Sequence, residues 1–178
     1  MLLLTFTAGS NRYAVDVARV VEVVPRVELR PVPHAPAFLA GLLGYRGKVV
    51  AVIDLSVLLD APPCPDRLST RIILVNAAPG DHNRRNPDRH DSAEHSGRAP
   101  SDPDSDLDIL GLVAERVSDL ITVRPEQVSP PAVQLPQAPY LGAIVQTDDG
   151  IVQLIAVEKL RETTLGGAVI GREAAFEV

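Results

Sequence analysis

Several residues of this 178-residue chain have side chains that could do chemistry. The first group lies in residues 79–106, where His82, His90 and His95 stand among seven Asp and Glu residues. Imidazole nitrogens and carboxylate oxygens are ligands for divalent cations, so this segment could hold a metal ion or a small ligand. The alternative is a polar spacer, because ligands on an unstructured loop must be ordered on binding.

The other candidate groups have simpler explanations. Cys64 stands between two prolines with no histidine nearby, so nothing indicates the thiolate that a nucleophile requires. The glycines at 41, 44 and 47 do not have the spacing of a phosphate-binding loop, and no long helix follows them. The Asp-Asp-Gly sequence at 148–150 lies between two apolar runs, which is typical of a hairpin turn. The sequence therefore predicts no catalytic residue, no metal site, no cofactor and no enzyme activity.

Composition and charge narrow the class of partner. The formal net charge is -6 and no stripe of Lys and Arg is present, which argues against nucleic-acid binding and direct membrane binding. A single cysteine cannot form an internal disulfide and suits a reducing compartment. The N-terminus lacks the pattern of a signal peptide, and no apolar run reaches the length of a membrane span. We expect a cytoplasmic protein whose partners are other proteins.

The elements that must position these residues are predicted to be mainly β-strands, because short β-branched runs alternate with turn residues. A first hairpin is predicted at 2–16, and a final hairpin at 140–157. Single strands are predicted at 48–54, 70–75 and 110–123. Short helical segments are predicted at the start of 17–24, where the chain then continues as a strand, and at 38–43, 55–59 and 157–163.

Two segments are predicted to lie outside the regular elements. Prolines at 25, 31, 33 and 36 remove backbone donors, so residues 25–37 are expected to form an extended loop. Residues 79–106 contain no Val, Ile, Leu, Met or aromatic residue and cannot bury enough surface to offset their ordering entropy. Because strand patterns stand on both sides, this segment is predicted to be a disordered polar insertion.

The sequence GLLGYRGKVVAVIDL at 41–55 resembles the G-x-x-N-x-R-G-x-x-x-P-[VI]-[VI]-D-L signature of the CheW-like domain family. Upstream, VVEV at 20–23 and PHAPAF at 33–38 resemble further steps of the family pattern, as does the first hairpin. Segments at 70–75, 111–117 and 152–160 follow in family order. The resemblance covers nearly the whole chain except 79–106 and the last dozen residues.

Four positions depart from the family pattern: Gly44 replaces an Asn, Ala51 a Pro, Glu115 an Asp, and Ala156 a common acidic or amide residue. These departures concern the choice of partner rather than the fold. The tyrosine in the Tyr-Arg-Gly sequence and the weakened C-terminal motif are more similar to the auxiliary adaptors of Wsp-like surface-sensing pathways than to the main chemotaxis adaptor.

The resemblance implies two intertwined five-stranded SH3-like β-barrels with a few short helices and a shared core. It implies one domain at 1–165, interrupted by the 79–106 insertion and followed by a tail at 166–178. It implies a non-catalytic adaptor that couples the cytoplasmic tips of methyl-accepting chemoreceptors to the regulatory domain of a CheA-type histidine kinase. The receptor-contacting and array-forming positions would map to Val20, Glu22, Gly41, Arg46 and Gly47, and the kinase-side contacts to the region of Val117 and Leu120. Tyr45 is included in the same receptor and kinase interface. We also expect Glu22 and Arg46 to form an ion pair that orients the guanidinium.

Overall fold

The structure is a computed structural model that describes residues 1–78, 108–131 and 133–165. The predicted insertion at 79–106, with its three histidines, and the predicted tail at 166–178 lie outside the described residues. The metal-ligand hypothesis for the histidines therefore stays a prediction.

The described residues form a mainly β structure. Its strands are β1 (Leu2–Ala8), β2 (Asn11–Asp16), β3 (Val20–Pro25), β4 (Leu39–Tyr45), β5 (Lys48–Asp54), β6 (Thr70–Asn76), β7 (Ile109–Thr122), β8 (Val128–Ser129), β9 (Leu141–Thr147) and β10 (Gly150–Ile155). Its helices are α1 (Leu55–Leu58), α2 (Val157–Leu165) and two 3-10 segments at Val17–Arg19 and Pro125–Gln127.

The long strand β7 belongs to both halves of the molecule. Its first half pairs with β6 and β5, and with β3 and β4 these strands form a five-stranded unit that we call lobe 2. Its second half pairs with β1, and the order continues through β2, β10 and β9 to form lobe 1, with the two-residue β8 at the edge. The predicted pair of five-stranded SH3-like barrels is confirmed.

The strands that face both lobes are buried on both sides. In β5, Val50 and Val52 pack into the core of lobe 2, whereas Ala51 and Ile53 pack into a core shared between the lobes. This division follows from the strand geometry, because successive side chains point to opposite faces. It explains why the sequence of β5 is an almost continuous apolar run, a pattern typical of strands covered on both faces.

The shared core is the largest of the three described apolar clusters and contains side chains from both lobes. Phe6 and Tyr13 of lobe 1 stack in it at 6.4 Å between ring centroids. Leu160 of α2 is fully buried in the same cluster. The two lobes are therefore joined by packing as well as by β7.

The prediction of a helical turn at 38–43 is wrong, because β4 covers 39–43 and pairs with β5. The register of that pair shifts between Leu39 and Gly41, which is the mark of a β-bulge. Leu39 and Leu42 contact the shared core, whereas Ala40 and Leu43 contact the core of lobe 2. Side chains that face one core are therefore three residues apart across the bulge, and the apolar pattern loses the strict alternation of a strand. The decisive interaction, pairing with β5, is not visible in a local window of sequence.

The other predicted elements agree with the structure to within a few residues. Both hairpins, the strands β5, β6 and β7, and the helices α1 and α2 are confirmed. The 3-10 helix at Val17–Arg19 runs into β3, as the sequence predicts. The short strand β8 and the 3-10 helix at Pro125–Gln127 were not predicted, because they lie in a segment rich in Pro and Gln.

Candidate functional site

Arg46 stands at the tip of the β4–β5 hairpin in lobe 2. Tyr45 and Lys48 are the last paired residues, so Arg46 and Gly47 form a two-residue turn. Both have positive φ, 47° for Arg46 and 77° for Gly47, which is the signature of a type I′ turn. Positive φ is common for glycine but strained for a side chain such as that of arginine. Such strain at a surface position is often associated with function.

The Arg46 side chain is held by two neighbours. Its Nη2 donates to Oε2 of Glu22 at 3.3 Å, and its Cζ lies 5.0 Å from the centre of the Tyr45 ring. The predicted ion pair between Glu22 and Arg46 is therefore confirmed. The side chains are 43% and 60% exposed respectively, so the pair is open to solvent and to a partner.

Tyr45 adds a contact that the sequence did not predict. Its hydroxyl donates to the same Oε2 atom of Glu22 at 2.6 Å, while its ring packs against the core of lobe 2. The hydrogen bond joins β3 to β4, two strands that pair with β6 and β5 rather than with each other. We call Glu22, Tyr45 and Arg46 the Arg46 triad.

Typical interaction energies show what Tyr45 adds to the ion pair between Glu22 and Arg46. An exposed ion pair contributes only about 0–1 kcal/mol. Ordering a long cationic side chain costs up to about 2 kcal/mol of rotamer entropy. A cation–π contact at an exposed site contributes about 0.5–1 kcal/mol, and a hydrogen bond to a charged group about 1.5–3 kcal/mol. The ion pair alone does not offset this cost. The ring contact adds directly to the ordering of the guanidinium, whereas the hydrogen bond from Tyr45 fixes the carboxylate to which the guanidinium binds.

Gly41, also predicted as a contact residue, is buried beneath the preceding loop. A Cβ atom there would lie 2.7 Å from the carbonyl oxygen of Arg30 and 2.9 Å from Cβ of Leu29, and its φ is 147°. The loop is fastened at this place by two backbone hydrogen bonds between Arg30 and Leu42, of 2.9 and 2.8 Å. The observed role of Gly41 is to let the loop approach β4 closely.

Val49 is an additional exposed residue of the same hairpin, on the face opposite to the Tyr45 side chain. It pairs with Gly44 across the hairpin, and a Cβ atom on Gly44 would meet nothing within 4 Å. The side chain of Val49 is consequently 72% exposed, although the sequence assigns it to a buried strand. The hairpin thus exposes an aliphatic side chain on one face and packs Tyr45 against the core of lobe 2 on the other.

The remaining predicted residues lie elsewhere. Val20 begins β3 and packs, half-buried, against the shared core. Val117 is also half-buried against that core, near the register shift of β7. Leu120 is 60% exposed and pairs with Leu4 in lobe 1. The structure therefore brings together Glu22, Tyr45, Arg46 and Gly47, and places Leu120 on the other lobe.

A groove of about 760 Å³ lies between the end of β2 and the start of α2. Arg19 lines it, but this guanidinium donates to the carbonyl oxygen of Ala78 at 2.7 Å and pairs with Glu158 at 3.5 Å. These two contacts connect α2 to the residues after β6, which favours a structural role for Arg19 over ligand binding.

Asp54 connects three parts of lobe 2. Its carboxylate caps α1 by accepting from the backbone N–H groups of Ser56 at 2.9 Å and Val57 at 3.3 Å. Its second oxygen accepts from the backbone N–H of Cys64 at 3.0 Å. An aspartate just before a short helix is a recognisable N-cap signal. The contact with Cys64, ten residues further on, has no such signal.

Burial in the core of lobe 2 raises the pKa of Cys64 to about 11, and the charge of Asp54 adds to the shift. At about pH 8 roughly a thousandth of the thiol would be ionised, so we expect thiol reagents to label the native chain at least about 100-fold more slowly than the unfolded chain. Because Cys64 is the only cysteine, the labelling rate reports this site alone.

The same shift predicts a loss of stability at alkaline pH. The unfolded thiol ionises near its ordinary pKa of 9.0, whereas the folded thiol keeps its proton until about 11. The protonated thiol of Cys64 therefore makes its full contribution to the free energy of unfolding below pH 9.0. That contribution is lost as the pH rises towards 11. Urea unfolding below pH 9 and near pH 11 tests this prediction, and an equal change in unfolding free energy in Cys64→Ser and in the wild type over that range would contradict it. Labelling with a disulfide reagent near pH 8, with and without denaturant, tests the slow reaction of the native thiol, which rapid stoichiometric labelling would contradict.

Two searches of the described residues give negative findings. Within 1–78, 108–131 and 133–165, no three His, Cys, Asp or Glu side chains are grouped so that they could hold a metal ion. In the same ranges, no helix has both the length and the apolar character needed to cross a membrane.

Comparison with known proteins gives consistent results. A family model described as the CheW-like domain matches residues 2–164. A probable chemotaxis protein CheW from Rhizobium etli is 25% identical over 164 residues, which are 91% of this chain and 88% of the relative. The chemotaxis protein CheW of Klebsiella aerogenes is 24% identical over 160 residues, 88% of this chain and 79% of the relative.

A solved structure has the same fold. The crystal structure of the scaffolding protein TtCheW from Thermoanaerobacter tengcongensis matches with a TM-score of 0.64 and 22% sequence identity. The match covers 99% of this chain and 93% of that chain. The arrangement of two lobes is thus one already seen in a solved structure.

Proposed function

The chain belongs to the CheW-like domain family, and on that premise we propose that it is a non-catalytic adaptor. It would couple the cytoplasmic tips of methyl-accepting chemoreceptors to the regulatory domain of a CheA-type histidine kinase. Its location would be the cytoplasm, at receptor arrays. The domain would span residues 1–165, with 79–106 as an insertion and 166–178 as a tail.

One observation of the structure carries the proposal, namely the Arg46 triad. A strained turn presents a five-donor guanidinium, and two further residues hold it in place. Arginine is well suited to recognise a carboxylate through paired hydrogen bonds. An arrangement that holds one exposed cation so firmly is expected for a surface that binds another protein.

The turn that carries Arg46 is open to a partner. Gly47 beside it has no side chain, and a Cβ atom there would meet nothing within 4 Å, so the approach to the guanidinium is not blocked from this side. We assign this part of lobe 2 to the receptor tip.

Leu120 provides the second surface. It lies on the second half of β7, in lobe 1, and is 60% exposed. An adaptor needs two separate surfaces if it is to hold two partners at once. We assign the surface around Leu120 to the kinase, with Val117 contributing from its half-buried position.

The test is reconstitution from purified components. The adaptor, the receptor cytoplasmic fragments of its host and the CheA-type kinase are mixed with ATP, and kinase phosphorylation is measured. We expect phosphorylation to rise only when all three are present. A second set of mixtures contains the Leu120→Asp variant in place of the wild-type adaptor. This variant should still bind the receptor fragment but fail to recruit the kinase. Equal phosphorylation with and without the adaptor, for every receptor fragment, would contradict the proposal.

A further inference from the structure

The hydroxyl of Tyr45 has the shortest contact in the Arg46 triad. It lies 2.6 Å from Oε2 of Glu22, whereas Nη2 of Arg46 lies 3.3 Å from the same atom. We propose that Tyr45 is a positioning residue that acts through Glu22, so that Arg46 is presented to its partner in one orientation. The inference rests on the proposed function, since it concerns how the receptor-binding side chain is held.

Tyr45 is suited to this role because its own position is set by the fold. It is the last residue of β4, it pairs with Lys48, and its ring packs against the core of lobe 2. A phenol has few rotatable bonds, so its hydroxyl occupies a well-defined place once the ring is packed. The hydroxyl is therefore a rigid point to which the more flexible Glu22 can be attached.

Glu22 then transmits this position to Arg46. One carboxylate oxygen accepts both hydrogen bonds, so the phenol and the guanidinium meet at a single atom. The phenol donates a hydrogen bond and keeps its proton. The carboxylate of Glu22 therefore stays negative and still attracts Arg46. The Tyr45 ring adds a second support, because the guanidinium lies over it at 5.0 Å.

Tyr45→Phe separates the hydroxyl from the ring, because it removes the hydrogen bond and keeps the packing. We expect the affinity for a receptor cytoplasmic fragment to fall roughly 3- to 10-fold, less than the full strength of a hydrogen bond to a charged group, because Tyr45 acts on the receptor only through Glu22 and Arg46. In a Glu22→Ala background the same substitution should have no further effect, because the atom through which it acts is absent. The matched control is Tyr140→Phe, which removes a hydroxyl bonded to the carbonyl oxygen of Leu58 at 3.4 Å and should leave binding unchanged.

A second readout needs no partner. The order parameter of the Arg46 Nε–H group, from nitrogen relaxation, should fall in Tyr45→Phe and stay unchanged in Tyr140→Phe. If the wild-type chain binds no receptor fragment, the proposed function fails, but the order parameter still decides the role of Tyr45. An equal loss of affinity from Tyr45→Phe in the wild-type and Glu22→Ala backgrounds would overturn the inference. An unchanged order parameter in Tyr45→Phe would overturn it as well.

Discussion

Arg46→Asn is expected to remove receptor binding without destabilising the fold. Asparagine tolerates the left-handed conformation better than arginine, and the turn holds residue 46 at a φ of 47°. This relief of strain offsets the loss of the exposed ion pair with Glu22, so the free energy of unfolding should stay within about 1 kcal/mol of the wild-type value.

The expected loss of affinity is much larger. Truncating one partner of a charge pair that becomes buried at an interface costs about 2–5 kcal/mol, which corresponds to at least about a 30-fold weaker Kd. Titration calorimetry with the receptor fragment and denaturant unfolding of the free chain measure the two quantities separately. Arg46→Glu should bind still more weakly, because its carboxylate would face Glu22.

Two further variants make this test specific. Arg67→Asn makes the same change of charge at another exposed position of lobe 2 and should leave binding unchanged. Arg46→Lys keeps the charge but loses the planar fork, so it should bind with intermediate affinity. Undiminished binding by Arg46→Asn would show that Arg46 is not a contact of the receptor.

Asp54→Ala is expected to have the largest effect on stability. The carboxylate is buried and accepts three backbone N–H groups, from Ser56, Val57 and Cys64. Loss of an N-cap costs about 0.5–2 kcal/mol, and leaving a buried donor unsatisfied costs about 1–3 kcal/mol. We therefore expect the free energy of unfolding to fall by roughly 2–5 kcal/mol, a large part of the stability of an ordinary domain.

The measurement is urea unfolding followed by circular dichroism. Asp54→Asn should lie between the wild type and Asp54→Ala, because its single carbonyl oxygen cannot serve both α1 and the N–H of Cys64. The control is Asp66→Ala, which removes a carboxylate that is 85% exposed and 3.8 Å from Arg26 and should change stability by less than about 1 kcal/mol. An unfolding free energy for Asp54→Ala within error of the control would refute the assignment.

The strands whose signals are local were predictable. The apolar run of β5 and the Asp-Gly turn between β9 and β10 are recorded in neighbouring residues, and the structure agrees with both. The local pattern at 38–43 predicts a helical turn, whereas the structure has the bulged strand β4 there. Pairing with β5 decides the conformation of this segment. A local pattern could not separate the two, since its apolar residues contact two cores.

Some features of the candidate site were also predictable from local sequence, and others depend on the fold. The family pattern at 41–55 selects Arg46 and the pattern at 20–23 selects Glu22, and the ion pair predicted between them is present. The hydrogen bond from Tyr45 depends on where β3 and β4 lie relative to each other, and the exposure of Val49 depends on its pairing with Gly44 across the hairpin. The family pattern assigned Leu120 to a different partner from Arg46, but only the fold shows that the two residues lie on different lobes.

By itself, then, the sequence determined the β class, the order of most elements, the family pattern and the residue at the centre of the site, because each is written in neighbouring residues. Only the tertiary structure decided that Arg46 adopts a positive φ, that Tyr45 reaches Glu22, and that Asp54 holds Cys64. The physical reason is that side-chain contacts between strands far apart in sequence depend on the register of the sheet and the packing of the cores. Those quantities belong to the whole fold rather than to any one segment.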